Sequence, residues 1–281
     1  MEQPQSRLVS VLKQIFFRPV TRNRRLQRVW SMAHTLSLFG MNYGGGGLIE
    51  ESGETWALQN VIKPALAAVD SPVVFDVGAN IGDYALLVRR ELSNANIFAF
   101  EPAASTYQEL ASTLAQNNGT GIKPYNFGFS DNERELELFS YAVEGNEQSL
   151  LASIDRRLPT QAVRVEVDHS EKIQVRTIDS FCAAEDIRRI DLLKLDVEGH
   201  ELAVLQGASA MLDRGAVQII QFEFGPANIY SRTYFYDFWI LLAEKFDIFR
   251  IVPNGIAPIT YYGEHREIFL TTNYLALRKE P

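Results

Sequence analysis

The chain has 281 residues, 46% of them apolar, and a formal net charge of −8. This is enough apolar material for the buried core of one large α/β domain or two small ones. A single cysteine, Cys182, excludes an internal disulfide framework and any multi-cysteine metal site. The four histidines follow no metal-ligand spacing, so we predict no metal site, and the acidic charge argues against a nucleic-acid partner.

The first 40 residues differ in charge from the rest, because they carry seven basic residues and one acidic residue. Apolar residues at spacings of three and four predict a helical arm over residues 7–40. Its basic face is interpreted as solvated surface, or alternatively as peripheral contact with anionic lipid or with an anionic part of a substrate. The run Gly44–Gly47 interrupts this pattern, and a helix over Glu54–Val69 is predicted to lead into the main domain. We therefore expect an arm and glycine-rich linker over residues 1–60 and one domain over residues 61–281.

Membrane and export signals do not stand out in the sequence. The longest stretch without charged residues, Val29 to Ile49, is too polar and too rich in glycine for a lipid-facing helix. The apolar stretch near the start lacks a small-residue cleavage site, so a cytoplasmic location is the expectation.

From Val73 onwards, short apolar strands alternate with helices. This order predicts an α/β fold with a mostly parallel, doubly wound sheet and helices on both faces. The predicted strands are Val73–Val77, Asn96–Phe100, Ile122–Phe127, Asp191–Val197, Val217–Phe224, Asp247–Val252 and Ile268–Leu277. The predicted helices are Asp83–Leu92, Ser105–Gln116, Glu201–Leu212 and Thr233–Phe246.

One stretch, over about residues 134–179, breaks this alternation. Apolar and charged residues alternate with period two in Glu135–Phe139, Val163–Val167 and Lys172–Arg176. Such alternation predicts antiparallel strands where a crossover helix is expected. We predict a β insertion that either covers a ligand or extends the edge of the sheet.

The first strand ends in a glycine-containing loop from Asp76 to Asp83. Gly78 and Gly82 permit a tight turn and the close approach of a ligand, and Asn80 tolerates a left-handed backbone. The dinucleotide fingerprint needs glycines at positions 80 and 83, where this chain has asparagine and aspartate. A cofactor that carries a ribose and a positive charge suits this acidic loop better than a pyrophosphate, and S-adenosylmethionine has both features.

Acidic residues end two further strands. Glu101 follows the second strand, where a carboxylate can accept hydrogen bonds from both ribose hydroxyls. Asp196 and Glu198 follow a later strand, and His200 opens the next helix. These three side chains are interpreted as part of an active site, with a helix-capping role or a metal site as the alternatives.

Three motifs together resemble the FkbM family of S-adenosylmethionine-dependent methyltransferases, over roughly Val73 to Leu277. They are the segment from Phe75 to Gly82, the triplet Phe100-Glu101-Pro102, and Leu193-Lys194-Leu195-Asp196-Val197-Glu198-Gly199. The resemblance implies a Rossmann-like class I methyltransferase fold with an antiparallel last strand. It also implies O-methylation of a sugar, glycan or polyketide-type acceptor.

The resemblance also implies roles for particular residues. The Gly78–Gly82 loop would hold the methionine portion of the cofactor, and Asp196 would face its amine or methyl group. Glu101 would bind the ribose, with Asn126, Ser130 or Asp131 near the adenosine. The expected cofactor-binding residues are Asp76, Gly78, Asn80, Gly82, Glu101, Asn126, Ser130, Asp131 and Asp196.

The expected catalytic residues are His200, Asp196 and Glu223. A hydroxyl is a poor nucleophile, so a general base would assist methyl transfer, and His200 or Glu223 is the candidate. Asp196 would orient the cofactor. Two alternatives remain: a non-catalytic module that binds a glycan or a protein partner, and a nicotinamide-dependent oxidoreductase. The sequence leaves the acceptor and the oligomeric state open.

Overall fold

The computed structural model describes residues 23–47, 49–117, 119–143, 146–154 and 165–280. Contacts divide the chain into two compact units, with the boundary between Tyr43 and Gly44. The first unit contains a 3₁₀ turn, Arg24–Leu26, and helix α1, Gln27–Gly40. The remainder of the predicted arm, residues 7–22, lies outside the described residues. No helix in the described ranges has the length and apolar character needed to cross a lipid bilayer.

The second unit begins with the glycine run, earlier than the predicted boundary at residue 60. The backbone N–H groups of Gly44 and Gly46 both donate to the carbonyl oxygen of Thr271, at 3.1 Å. Three short helices follow, with a π-helical turn at Leu58–Ile62 between the second and third: α2 Ile49–Ser52, α3 Glu54–Ala57 and α4 Lys63–Ala65. The boundary differs because residues 44–60 attach to the domain, so the glycines are not a free linker.

The main sheet has eight strands in the order β11-β10-β12-β9-β8-β1-β2-β3. Their bounds are β1 Val73–Val77, β2 Asn96–Phe100, β3 Ile122–Tyr125, β8 Ile190–Leu195, β9 Val217–Phe224, β10 Phe246–Val252, β11 Gly255–Ile259 and β12 Thr272–Arg278. Five neighbouring strands, from β9 to β3, pair in parallel, and β12, β10 and β11 add antiparallel pairs. The Rossmann-like α/β fold with an antiparallel last strand is therefore confirmed.

Helices connect the parallel strands, as predicted. They are α5 Asp83–Glu91, α6 Ala104–Gln116, α7 Ile178–Ala184, α8 Glu201–Gln206, α9 Ser209–Asp213, α10 Ala227–Ser231 and α11 Phe235–Leu242, and a 3₁₀ turn spans Glu264–Arg266. The predicted helix Glu201–Leu212 is two helices, because the α-helical hydrogen-bond pattern breaks after Gly207, where the N–H of Ala208 donates to the carbonyl oxygen of Leu205. Buried clusters lie on both faces of the sheet, one around Phe75 and the other around Val74.

The predicted insertion forms a second, four-stranded sheet in the order β4-β7-β5-β6. Its strands are β4 Gly128–Phe129, β5 Arg134–Val143, β6 Asn146–Ser153 and β7 Val165–Arg176. Strand β5 pairs antiparallel with both β6 and β7, as the period-two alternation predicts. Residues 165–167 of the predicted strand Val163–Val167, and the whole of the predicted strand Lys172–Arg176, belong to the single strand β7. Strand β6 is not among the predicted strands.

Strand order reverses between β1 and β8. The chain runs from β1 outwards through β2 and β3, and returns on the other side of β1 to form β8 and β9. Ligands of open α/β sheets bind at the carboxyl ends of strands on either side of such a point. The loops that follow Val77 and Leu195 therefore define the candidate site.

Candidate functional site

The loop after β1 turns through three left-handed residues. Gly78, Asn80 and Gly82 have φ angles of +80°, +48° and +99°. The N–H groups of Gly78 and Ala79 both donate to the carbonyl oxygen of Phe100 at 3.0 Å, which fixes the loop to the end of β2. A Cβ atom on Gly78 would lie 1.8 Å from the carbonyl oxygen of Asp196. Only glycine permits this approach of the two strand ends.

Glu101 is buried at the end of β2 and holds the glycine loop. Its carboxylate accepts hydrogen bonds from the backbone N–H groups of Asn80, at 3.0 Å, and Ala103, at 2.9 Å. Burial raises the pKa of Glu101 to about 7, although these two hydrogen bonds act in the opposite direction. Each carboxylate oxygen has a second acceptor position, which a ligand hydroxyl can use.

Asp76 and Lys194 lie inside the sheet, on adjacent strands in register. Asp76 is fully buried, and Nζ of Lys194 lies 3.9 Å from its carboxylate. Within the described part of the chain, no side chain donates a hydrogen bond to either Asp76 oxygen. Burial raises the pKa of Asp76 to about 6. A buried carboxylate with unused acceptors beside a cleft is suited to a cationic or hydrogen-bonding ligand.

Asp196 follows β8 and is partly exposed. Its carboxylate accepts a hydrogen bond from Nζ of Lys194 at 3.0 Å, and its N–H donates to the carbonyl oxygen of Val77. Burial lowers the pKa of the Lys194 ammonium, but the carboxylates of Asp196, Asp76 and Glu54 outweigh this effect and raise the pKa. Lys194 therefore remains charged and offsets part of the negative charge around the cleft.

The turn after Asp196 is strained and internally braced. Glu198 and Gly199 have φ angles of +54° and +101°. The buried carboxylate of Glu201 accepts hydrogen bonds from the N–H groups of Val197, at 2.9 Å, and Gly199, at 3.2 Å. Burial raises the pKa of Glu201 to about 7. In the sequence Glu201 stands out only as the start of a predicted helix, whereas in the structure it braces this turn.

His200 contacts residues that the resemblance placed near the adenosine. Its Nε2 lies 2.9 Å from Oγ of Ser130, and this hydroxyl donates to Asp131 at 2.8 Å. Because the Ser130 hydrogen is used in this way, we assign the proton to Nε2, which leaves Nδ1 as the acceptor. Burial lowers the pKa of His200 to about 4, and Arg134 acts in the same direction. His200 is therefore neutral at physiological pH.

Glu223, the other predicted base, lies near the end of β9. Burial raises its pKa well above the usual value, and three neighbouring carboxylates act in the same direction: Asp196, Glu198 and Glu201. A carboxyl group in this environment retains its proton more readily than an exposed one. Asn126 has a structural contact instead, since its amide donates to the carbonyl oxygens of Glu101 and Pro102.

Two cavities meet at these strand ends, and both are lined by Gly78 and Asp196. The larger is an open cleft of about 1260 Å³, which Asp76, Asn80 and Lys194 also line. The smaller has a volume of about 70 Å³ and is mostly apolar. Glu101, Glu198 and His200 line the smaller cavity together with residues of the second sheet: Phe129, Leu138, Ile173 and Val175.

A row of polar residues crosses the sheet beneath the larger cleft. This polar row consists of Asp76, Lys194 and Gln221, which are aligned in register on β1, β8 and β9. Gln221 is fully buried, and it is not among the site residues predicted from the sequence. The sequence of the strand carries no signal for it, because Gln218 is a second glutamine in the same short run.

Acidic side chains dominate the site, but they do not form a metal centre in the described ranges. No group of three or more histidine, cysteine, aspartate or glutamate side chains there is arranged to hold a metal ion.

A Rossmann-like sheet with a glycine loop and acidic strand ends defines a class of nucleoside-binding domains. The sequence profile of the Methyltransferase FkbM domain matches residues 76–248. The chain belongs to this family, so the resemblance seen in the sequence is confirmed.

Curated relatives share this part of the chain. The chain is 29% identical over 147 residues to Methyltransferase 1 of Beauveria bassiana, covering 49% of this chain and 59% of that protein. It is 33% identical to Methyltransferase sdnD of Sordaria araneosa, in a match that covers 49% of this chain and 60% of that protein. It is 28% identical to Hexuronic acid methyltransferase AglP of Haloferax volcanii, in a match that covers 59% of this chain and 63% of that protein. The matches thus span about 60% of the length of these relatives.

Proposed function

We propose that the protein is an S-adenosylmethionine-dependent O-methyltransferase that acts on a hydroxyl group of a sugar, glycan or polyketide-type small molecule. One observation carries this proposal. Gly78 and Asp196, at the ends of neighbouring strands, line both an open cleft with buried carboxylates and a smaller apolar cavity beside Glu101. Family membership supports methyl transfer, and the hexuronic acid methyltransferase of Haloferax volcanii among the relatives supports a sugar-derived acceptor.

The residues present fit such a cofactor. Asp76 has unused acceptors and is fully buried at the cleft, which suits a ligand with positive charge. Gly78 allows the two strand ends that line the cleft to approach each other closely, because it has no Cβ atom to meet the carbonyl oxygen of Asp196. Glu101 would accept hydrogen bonds from the ribose, and Asp196 would face the amine or the methyl group. Asn80 and Gly82 would shape the loop. Asn126 would support the end of β2 through its hydrogen bonds to Glu101 and Pro102. Ser130 and Asp131, which are hydrogen-bonded to each other and through Ser130 to His200, would lie near the adenosine.

Bound S-adenosylmethionine supplies an electrophilic methyl group on a sulfonium. The protein's part is to align the acceptor oxygen with it, to exclude water and to take up the hydroxyl proton. We assign proton uptake to Nδ1 of His200, because the imidazole is neutral at physiological pH. The hydrogen bond from Nε2 to Ser130, and from Ser130 to Asp131, would stabilise the imidazolium that results. Glu223, which retains a proton more readily, would then serve as a hydrogen-bond donor.

Replacing His200 with glutamine is expected to lower kcat by about 10²- to 10⁴-fold, the usual contribution of a general base. The dissociation constant of adenosylmethionine should stay near that of the wild type, since the ring is assigned to the acceptor side. Steady-state kinetics and calorimetry measure the two quantities. The Glu223→Gln variant is the matched comparison. Its kcat should fall less than that of His200→Gln, because an amide still donates a hydrogen bond. Wild-type turnover in His200→Gln would reject this assignment.

The proposed activity is tested by titration and by transfer of a labelled methyl group. Calorimetry should detect adenosylmethionine binding to the purified protein, and labelled cofactor should transfer its methyl group to hydroxyl-bearing sugars in a panel of acceptors. Binding without transfer to any acceptor would favour the non-catalytic module. Binding of a nicotinamide dinucleotide in place of adenosylmethionine would favour the oxidoreductase.

We further propose that the first unit contacts anionic membrane surfaces. In α1, four exposed apolar residues recur at helical spacing: Val29, Met32, Leu36 and Phe39. Three arginines lie near the start of this helix: Arg24 and Arg25 before it, and Arg28 in its first turn. An apolar stripe next to cationic side chains suits a helix that lies in the headgroup region of a bilayer.

Changing these three arginines to alanine is expected to weaken binding to phosphatidylserine-containing vesicles by about 100-fold, at about 1 kcal/mol per basic residue. Vesicle co-sedimentation measures the loss, and vesicles of neutral lipid provide the comparison. Adenosylmethionine affinity should be unaffected. Equal binding of the wild type and the triple variant to anionic vesicles would exclude the electrostatic contact.

A further inference from the structure

The polar row is connected to a buried carboxylate from outside the family domain. Nε2 of Gln221 donates to Oε1 of Glu54 at 2.6 Å, and the Ser52 hydroxyl donates to Oε2 of Glu54 at 2.9 Å. Glu54 is 4% exposed and lies in α3, before the family match begins at residue 76. A buried carboxylate that accepts two directed hydrogen bonds is held in one orientation.

The same amide extends the connection to the cleft. Oε1 of Gln221 accepts a hydrogen bond from the Tyr84 hydroxyl at 2.9 Å, so both ends of the amide are used in a fixed direction. Nζ of Lys194 lies 4.8 Å from the centroid of the Tyr84 ring, within the range of a cation–π contact. The chain of contacts thus runs from Glu54 to Gln221, then to Tyr84 and finally to Lys194.

This chain of contacts reaches the wall of the cleft. Tyr84 and Lys194 line the larger cleft, and so does Thr55, the residue next to Glu54. Glu54, Asp76 and Asp196 act electrostatically on Lys194. Burial raises the pKa of Glu54, whereas the Lys194 ammonium and the Ser52 hydroxyl act in the opposite direction. In their ionised forms the three carboxylates around one ammonium leave a net negative charge, which acts strongly because the local dielectric is low.

We propose that Glu54 is a positioning residue of the cofactor cleft, which holds the Lys194 ammonium in place and favours a cationic ligand over a neutral one. The inference rests on the proposed function, since the cationic ligand is the sulfonium of adenosylmethionine. It assigns a role to a segment that precedes the family domain, and it gives a reason for the burial of a carboxylate at this position.

The test compares two ligands that differ in charge. Adenosylmethionine carries a sulfonium, whereas adenosylhomocysteine has a neutral thioether in its place. The Glu54→Gln variant keeps the shape and an acceptor for Gln221 but removes the charge. It is expected to weaken adenosylmethionine binding by about tenfold and adenosylhomocysteine binding by less than about twofold, as estimated for one charge acting within a protein.

Two further variants separate positioning from stability. Tyr84→Phe removes the hydroxyl but keeps the ring beneath Lys194, so it should shift the ratio of the two dissociation constants in the same direction by a smaller factor. Asp191→Asn is the matched control. Asp191 is a buried carboxylate on the same strand as Lys194. It accepts a hydrogen bond from the N–H of Val73 at the amino-terminal ends of β8 and β1, away from the cleft at their carboxyl ends. This variant should leave the ratio unchanged even where it lowers the unfolding temperature.

Calorimetric titration of both ligands into each variant distinguishes the outcomes. A wild-type ratio in folded Glu54→Gln and Tyr84→Phe overturns the inference and leaves the proposed function intact. Equal weakening of both ligands also overturns it, because a purely structural role affects the two alike. A wild-type protein that binds neither ligand overturns the proposed function and this inference with it.

Discussion

Replacing Gly78 with alanine is expected to weaken cofactor binding by at least about 100-fold and to destabilise the fold by about 3 kcal/mol. The backbone at Gly78 has a φ of +80°, which costs an L-residue roughly 1–2 kcal/mol. The new methyl group would also lie 1.8 Å from the carbonyl oxygen of Asp196. Because this contact is with backbone, one of the two strand ends must move.

The movement affects both cavities, since Gly78 and Asp196 line each of them. Calorimetry measures the affinity, and urea unfolding measures the free energy of unfolding. Gly255→Ala is the control, because a Cβ atom there meets a neighbour only at 3.6 Å, an ordinary contact, at the far edge of the sheet. A Gly78→Ala protein with wild-type affinity and stability would contradict the close approach of the two loops.

Replacing Lys194 with methionine is expected to destabilise the protein by about 3–5 kcal/mol, the usual effect of removing one partner from a buried ion pair. Methionine retains most of the apolar contact but removes the ammonium between Asp76 and Asp196. Asp76 would then be fully buried without a cation. Loss of adenosylmethionine affinity should accompany the destabilisation, because Asp196 loses the hydrogen bond that orients it.

The sign of the pH dependence follows from Asp76. Its folded pKa, about 6, is above the unfolded value of 3.8, so ionisation of this group lowers stability as the pH rises through this window. Without Lys194 the folded pKa rises further, and the difference between variant and wild type should be larger at pH 8 than at pH 5. Urea unfolding at the two pH values measures this difference.

A Lys172→Met variant provides the comparison, since Lys172 forms an ion pair with Glu135 at the exposed surface. The free energy of unfolding of this variant should differ little from that of the wild type at either pH, because exposed ion pairs contribute little to stability. A difference between Lys194→Met and wild type that is equal at both pH values would exclude Asp76 as the group that titrates.

The elements around the site follow from local sequence patterns. Strands β1, β2 and β9 have the predicted bounds, since each is a short, mostly apolar run between turn residues. The glycine loop and the acidic strand ends were also identified, because parallel strands bring their carboxyl ends to one edge of the sheet. Asp76, Lys194 and Asp196 meet there for that reason.

Other features depend on contacts between distant segments and leave no local signal. Gln221 lies in the run Val217–Phe224, where nothing in its spacing distinguishes it from Gln218, and its partner Glu54 is 167 positions earlier. The glycine run also looked like a linker, because a hydrogen bond to Thr271 cannot be read from glycines. Strand β6 lacks the strict alternation that identified β5.

The smaller cavity takes its two kinds of surface from two different sheets. Its charged and hydrogen-bonding groups, Glu101, Asp196 and His200, come from the strand ends and loops of the main sheet. Leu138, Ile173 and Val175 come from the inserted sheet. Substitutions among these aliphatic residues would resize the cavity and leave the polar groups untouched. Under the proposed function, the size of the acceptor would therefore be set by a different sheet from the one that supplies the proposed catalytic groups.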